Sequence, residues 1–231
     1  MQYHPVHFSI VVVDIAKFGT RDDRFQLLLR SGLTAVLKQA FEESGIDWDE
    51  LAIEDRGDGK CLLIPASVSK VRLLDPLIGR LAVALRQHNQ FTSEQGQIRL
   101  RMSVHAGEVH RDRDGWSGTD LNFAFRLVGS EALYEVLAAV PEAELVVIVS
   151  EAIHNAVVRH GYGAVDPASF HQIEVHRKEV SAEAWVHVPG ILAPLARLEL
   201  DSGGSGPPAI TVRGNVNGDV VGRDKHVGGP W

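Results

Sequence analysis

A single cysteine, Cys61, stands in 231 residues. No disulfide can close within the chain, and a reducing compartment is expected. Long apolar runs are also missing: nothing approaches the ~20 residues of a membrane-spanning helix, so no membrane partner is expected. The N-terminal MQYHPVHF lacks a basic segment leading into a long apolar one, so the expectation is a soluble, cytoplasmic protein without a secretory leader. Positive charge is scarce. Lys and Arg number 23 against 30 Asp and Glu, a formal net charge of −7. Such a surface does not attract nucleic acid as a whole, and no nucleic-acid binding is expected. A nucleotide ligand stays open, because it needs only a local site of cations or metal. What is plentiful is apolar residues, 45% of the chain, ample for one core.

Their spacing orders the chain. Residues 8–14 read as a strand buried on both faces, ending on a carboxylate, Asp14. Apolar positions at helical spacing from Phe25 to Phe41 predict a helix over 22–44, stopped by Gly45. In LAIEDRGDGKCLLIP, 51–65, two apolar arms flank Gly57-Asp58-Gly59, the pattern of a β-hairpin. A helix over 69–92 follows, then an alternating strand over 97–109. A polar loop, HRDRDGWSG, leads to a helix starting near Thr119. Residues 144–150 read as a buried strand, Ser150 caps a helix to about His160, and 171–180 with 184–188 read as a closing hairpin. The order β-α-β-β-α-β, then helix, strand, helix and two strands, predicts an α/β sandwich of the α+β kind, a ferredoxin-like βαββαβ core with an extra helix-strand and a C-terminal hairpin. Residues 1–190 are read as one domain and 191–208, with DSGGSGPP, as a linker. The Gly/Val-rich tail, 209–231, is read as a disordered end or a short β element that pairs with a sheet edge.

In a split βαβ sheet the first strand lies beside the hairpin, so its tip and the hairpin turn can be neighbours. Asp14 and Asp58 would then meet. Two carboxylates at one sheet end repel unless a cation lies between them. Hard oxygen ligands select Mg²⁺ or Mn²⁺, and the Ile15 carbonyl is a natural extra ligand at the strand exit. The plainer reading is that Asp14 caps a turn and Asp58 tightens the hairpin. In GTDLNFAFRL, Asn122 and Arg126 are four apart and share a helix face. An amide and a guanidinium there can hold a ribose and a phosphate.

Taken in order, VVVDIAKFG, DRGDGKCLLIP, RMSVHAGEV and GTDLNFAFRL resemble the class III nucleotidyl cyclase domain over about residues 6–189. The resemblance implies two divalent metals per site on Asp14, Ile15 and Asp58. It implies a ribose-orienting Asn122, an Arg126 that stabilises the transition-state charge, and a substrate nucleoside triphosphate. It adds Phe18, Gly57 and Lys178 to the substrate-binding candidates, although Glu179 stands where a glycine often follows the lysine. It makes His105 structural. It further implies a homodimer in which each site takes its aspartates from one subunit and its Asn and Arg from the other.

Base choice in that family rests on two positions, here Glu54 and Gly115. Glutamate at the first is guanylate-like; glycine at the second fits neither purine pattern, with Asp114 one residue out of register. An ionised Glu54 only accepts hydrogen bonds, which suits the N–H on the edge of uracil or guanine. Alternatively, Glu54 pairs with Arg56 or Lys60 on the hairpin surface. A stand-alone domain of this kind resembles the pyrimidine cyclases of Pycsar antiphage defence. That implies cyclic UMP made from UTP, ahead of GTP and CTP, as a messenger for a separate effector protein. A non-catalytic nucleotide-binding or scaffold version of the domain is the alternative. The hairpin RGDGK does not fit a diguanylate cyclase, and the chain is too short for the fingers and thumb of a polymerase.

Overall fold

The computed structural model describes residues 4–113, 115–177 and 180–191. The expected linker and tail, from residue 192 onward, lie outside the described residues.

The centre of the fold is strand β1 (Val6–Ile15). Its side chains alternate between two apolar clusters: Val11, Val13 and Ile15 enter one, Ile10 and Val12 the other. A strand that feeds two cores must be interior. Accordingly β1 pairs antiparallel with β3 (Gly59–Pro65) on one side and β4 (Leu100–Arg111) on the other. β2 (Ala52–Asp55) lies outside β3, giving the order β2-β3-β1-β4 of the split βαβ arrangement. The sheet continues through β6 (Leu145–Ser150), parallel to β4, then β8 (Val180–His187) and β7 (His171–Arg177). A short β5 (Trp116–Ser117) pairs with the end of β4, inside the expected polar loop.

Helices cover both faces. α1 (Asp23–Glu43) starts where the Asp22 carboxylate accepts from the Phe25 N–H at 3.0 Å. It buries Leu29, Leu33, Val36, Leu37, Ala40 and Phe41. It packs beside α2 (Leu77–Gln90), and α5 (Glu151–Ala156) lies on the same face. α3 (Thr119–Val128) and α4 (Glu131–Ala139) cover the other.

Three expected boundaries are corrected. The helix expected over 69–92 is a 3₁₀ turn, Lys70–Leu73, followed by α2, because Pro76 has no N–H to continue the ladder. Where one helix of open length was expected from Thr119, two form: the first ends at Val128, and the second begins after the Gly129-Ser130 break. In the closing hairpin, Ser181 to Glu183 pair with His176 to Glu174, so they belong to β8 rather than to the turn.

Candidate active site

Asp14 is the last β1 residue whose side chain points to the α3–α4 face before the strand ends. Across the sheet it faces Gly59 on β3 and Arg101 on β4. A Cβ at position 59 would stand 2.0 Å from the Val13 carbonyl oxygen, so only glycine lets β3 begin this close to β1. The turn Arg56-Gly57-Asp58 therefore folds against the tip of β1. The Ile15 N–H donates to the Asp58 carbonyl oxygen at 2.9 Å. Gly57 provides φ +85°, and its N–H donates to the Asp55 carboxylate at 2.9 Å. Asp58 is exposed at the turn.

Burial pushes the Asp14 carboxyl above its ordinary range; the Arg101 guanidinium opposes this, and the negative charge of Asp58 adds to it. Arg101 is a buried arginine, 5% exposed. It donates to Asp14 Oδ2 and lies over the Tyr134 ring of α4, its guanidinium carbon 3.5 Å from the ring centre. Among the described residues Asp14 Oδ1 is buried without a hydrogen-bond partner, as are Arg101 Nε and His105 Nε2. A buried carboxylate oxygen without a partner, beside a second carboxylate, is a donor set that fits a hard divalent cation. Among the described residues no group of three or more His, Cys, Asp or Glu could hold a metal. Further donors would have to be backbone oxygens, such as that of Ile15, or substrate and water. The Ile15 side chain itself is in the core, 1% exposed.

α3 is clamped to β4. The Asp120 carboxylate accepts from the Glu108 N–H at 2.6 Å, and a Cβ on Gly107 would meet that carboxylate at 2.1 Å. Ser103 Oγ donates to the Ala124 carbonyl at 2.8 Å. His105 bridges the layers, with Nδ1 2.8 Å from Ser150 Oγ and Nε2 3.5 Å from Asp120 Oδ1, and its ring edge-on to Phe123. Burial holds its pKa below the ordinary value, with Asp120 opposing. Those contacts agree with a structural His105. On the clamped helix, Asn122 is exposed and Arg126 half-buried. Among the described residues no hydrogen bond or ion pair joins either one to Asp14 or Asp58.

The two base-choice positions do meet. Glu54 Oε1 accepts from the Trp116 N–H at 3.2 Å, and a Cβ on Gly115 (φ +135°) would lie 3.0 Å from that same oxygen. Of the two surface partners considered for Glu54, Arg56 takes it, at 2.5 Å, whereas Lys60 pairs with Asp55 at 2.9 Å. Phe18 packs against the α1–α2 core, so its backbone rather than its ring is left for a ligand. Lys178 and Glu179 lie outside the described residues.

Arg101 and Tyr134 escaped the sequence reading. One signal was present: in RLRMSVH a charged residue falls inside a strand that is otherwise buried, and such a charge demands a counter-charge. The identity of its partner needed the register.

No family model matches the sequence, and no curated protein matches it. Solved structures do. The chain is similar to the guanylyl cyclase Cya2, with 18% identity, a TM-score of 0.59, and coverage of 84% of this chain and 98% of that one. It is also similar to an adenylate/guanylate cyclase/hydrolase from Silicibacter pomeroyi, at 18% identity and a TM-score of 0.55, over 81% and 99% of the two chains. A third is the guanylate cyclase domain of RhGC from Catenaria anguillulae, in complex with GTP, at 14% identity and a TM-score of 0.52, over 79% and 96%. Likeness at these identities establishes architecture: the described residues adopt the fold of adenylyl and guanylyl cyclase domains.

Proposed function

We propose that residues 1–190 form a metal-dependent nucleotidyl cyclase domain, followed by a linker over 191–208 and a tail over 209–231. The observation that carries this reading is the approach of Asp58 to Asp14, with one buried carboxylate oxygen unpartnered, on a fold shared with cyclase domains.

In the reaction the ribose 3′-oxygen bonds to the α-phosphorus, the bond to pyrophosphate breaks, and the hydroxyl proton leaves. Asp14, Asp58 and the Ile15 carbonyl would hold two ions, Mg²⁺ or Mn²⁺. When bound, these supply the positive charge that makes the hydroxyl a better nucleophile and offsets the triphosphate. Asn122 orients the ribose. Arg126 directs its planar fork at phosphoryl oxygens as charge builds there, a contribution of a few kcal/mol. Lys178 meets the phosphates, and the backbone around Phe18 and Gly57 borders them.

Asn122 and Arg126 serve the aspartates of a second copy, which makes the working unit a homodimer with two shared sites. The lack of any bond between the two groups within the described residues of one chain favours this division. Mixing Asp14→Ala with Arg126→Ala protein tests it: activity is restored in the mixed dimer, and a dead mixture would mean that each site is contained in one chain.

Glu54 accepts an N–H from the base. UTP is the first choice, GTP the second and CTP the third. The product, cyclic UMP, acts as a second messenger for a separate effector protein in antiphage defence. Incubation of the purified protein with Mn²⁺ and each of the four triphosphates, read by chromatography, decides the base. Cyclic AMP as the sole product would refute the role of Glu54.

A further inference from the structure

We propose that Arg56 is a second base-reading residue, acting with Glu54 as one mixed acceptor–donor edge. This deepens the cyclase reading and rests on it for the location of the base.

Glu54 in β2 and Arg56, just past its end, are two apart, and both turn to the α3 side, Glu54 to the Trp116 N–H and Arg56 to the Phe125 ring. An arginine at a hairpin turn ordinarily extends into water, and an exposed ion pair holds it there weakly. Arg56 is also open to solvent, its side chain 46% exposed, but it has contacts from two directions. One terminal nitrogen lies 2.5 Å from Glu54 Oε2, and the guanidinium carbon sits 4.8 Å from the centre of the Phe125 ring on α3. Glu54 is itself fixed, because its Oε1 takes the Trp116 N–H. The guanidinium has five donors, and the carboxylate engages only one. The pair thus presents an acceptor beside a donor, at the positions where the chain brings Glu54 and Gly115 together.

A lone carboxylate reads one N–H. A carboxylate with a guanidinium beside it reads an N–H next to a carbonyl. Uracil carries that pattern in N3–H and O4, guanine in N1–H and O6. Cytosine and adenine place a ring-nitrogen acceptor where the N–H would be. To use the same pair they must slide along the edge by one substituent. Trp116 behind Glu54 and Phe125 beneath Arg56 keep the pair from following that slide. The substrate class is therefore keto-base triphosphates, and Arg56 is the residue that separates them from amino-base ones.

The test uses the full chain, Arg56→Ala and Arg56→Lys, with melting temperature as the check on folding. Binding is read by equilibrium dialysis with the 3′-deoxy analogues of all four triphosphates in Mn²⁺, which lack the attacking hydroxyl. Turnover is read with UTP and with 4-thio-UTP, whose sulfur is a weak acceptor. Arg56→Ala is expected to weaken binding of the uracil and guanine analogues by about tenfold to a hundredfold and to narrow their lead over cytosine and adenine. Arg56→Lys falls between. Sulfur at position 4 costs wild type more than it costs Arg56→Ala, because only wild type has the donor to lose. If Arg56→Ala does not fold, the lysine variant and the sulfur substitution carry the same comparison. An unchanged ranking of the four bases, or an equal loss for all four, overturns the proposal. Base-selective binding that shifts with Arg56 but yields no cyclic product would sink the cyclase reading and leave this inference standing. Product with a ranking that ignores Arg56 does the reverse. Binding of no nucleotide ends both.

Discussion

The two faces of the sheet use the same strands differently. Toward α1, α2 and α5, strands β1, β4 and β6 contribute Val11, Val13, Ile15, Leu100, Met102, Val104, Leu145, Val147 and Val149, an apolar layer. Toward α3 and α4, those strands contribute Ile10, Val12, Val146 and Ile148, but also Asp14, Arg101, Ser103 and His105. The first face only has to exclude water. The second has to exclude water around charges, so its polar groups come with partners: Arg101 for Asp14, the Ala124 carbonyl for Ser103, Ser150 and Asp120 for His105. The partnering is incomplete: Asp14 Oδ1, Arg101 Nε and His105 Nε2 are buried without a hydrogen-bond partner among the described residues, and of these the Asp14 oxygen is the hard, anionic donor beside a second carboxylate, which points to a cation rather than to packing.

The contrast can be broken first at the carboxylates. Asp58→Ala, at an exposed turn, should abolish cyclic nucleotide formation, a fall of more than about a thousandfold. Its stability should change by only about 0.5 kcal/mol, as for an ordinary surface substitution. Equal product from Asp58→Ala and wild type would end the metal-site reading in favour of a scaffold. Asp14→Ala should lose activity and stability together. It strands a buried guanidinium, at a cost of about 3–5 kcal/mol in denaturant unfolding.

On the apolar face the reverse pattern is expected. Leu33→Ala or Leu81→Ala empties space between α1, α2 and the sheet and should cost about 2–5 kcal/mol. Turnover per folded molecule should stay at the wild-type value, and a selective loss of kcat would mean that this face is not purely structural.

Acid probes both faces at once. His105 on one, and His187, stacked on Phe170 on the other, have pKa values held below 6.5 by burial. The unfolded chain then binds these protons more readily than the native one, so stability falls as pH drops below about 6.5. His105→Gln and His187→Gln should each flatten that slope in urea titrations. A slope unchanged in both variants would assign the acid sensitivity elsewhere. The smallest effect is at Cys61, whose thiol is pushed up to about 12, first by burial and then by the Glu54 charge. At pH 8 it should resist iodoacetamide in the folded protein and react on unfolding, as read by mass spectrometry. Rapid labelling of native protein would show that the hairpin opens.

Much of this was legible in the chain. The unbroken apolar run in SIVVVDIAKFG and the apolar arms around Gly57-Asp58-Gly59 placed β1 and the hairpin, since a strand buried on both faces is written locally. The helix over 69–92 was misjudged because apolar spacing runs through Pro76 without registering what it does to the backbone, and the single helix expected after Thr119 proved to be two, parted at Gly129-Ser130. Arg56 was legible as a partner for Glu54, but its seat over Phe125 and the pairing of Arg101 with Asp14 were not. Both depend on which residue of a neighbouring strand or helix lies opposite, a fact with no local signature.

The sequence by itself determined the order of elements, the two faces of the central strand, and the residue types able to bind a cation and a nucleotide, because each follows from spacing along one segment. Only the tertiary structure decided that Asp58 reaches Asp14, that Arg101 and Tyr134 attend it, that Glu54 meets Trp116, and that Arg56 lies over Phe125. Those meetings join positions tens of residues apart, and strand register and the close approach at Gly59 bring them together.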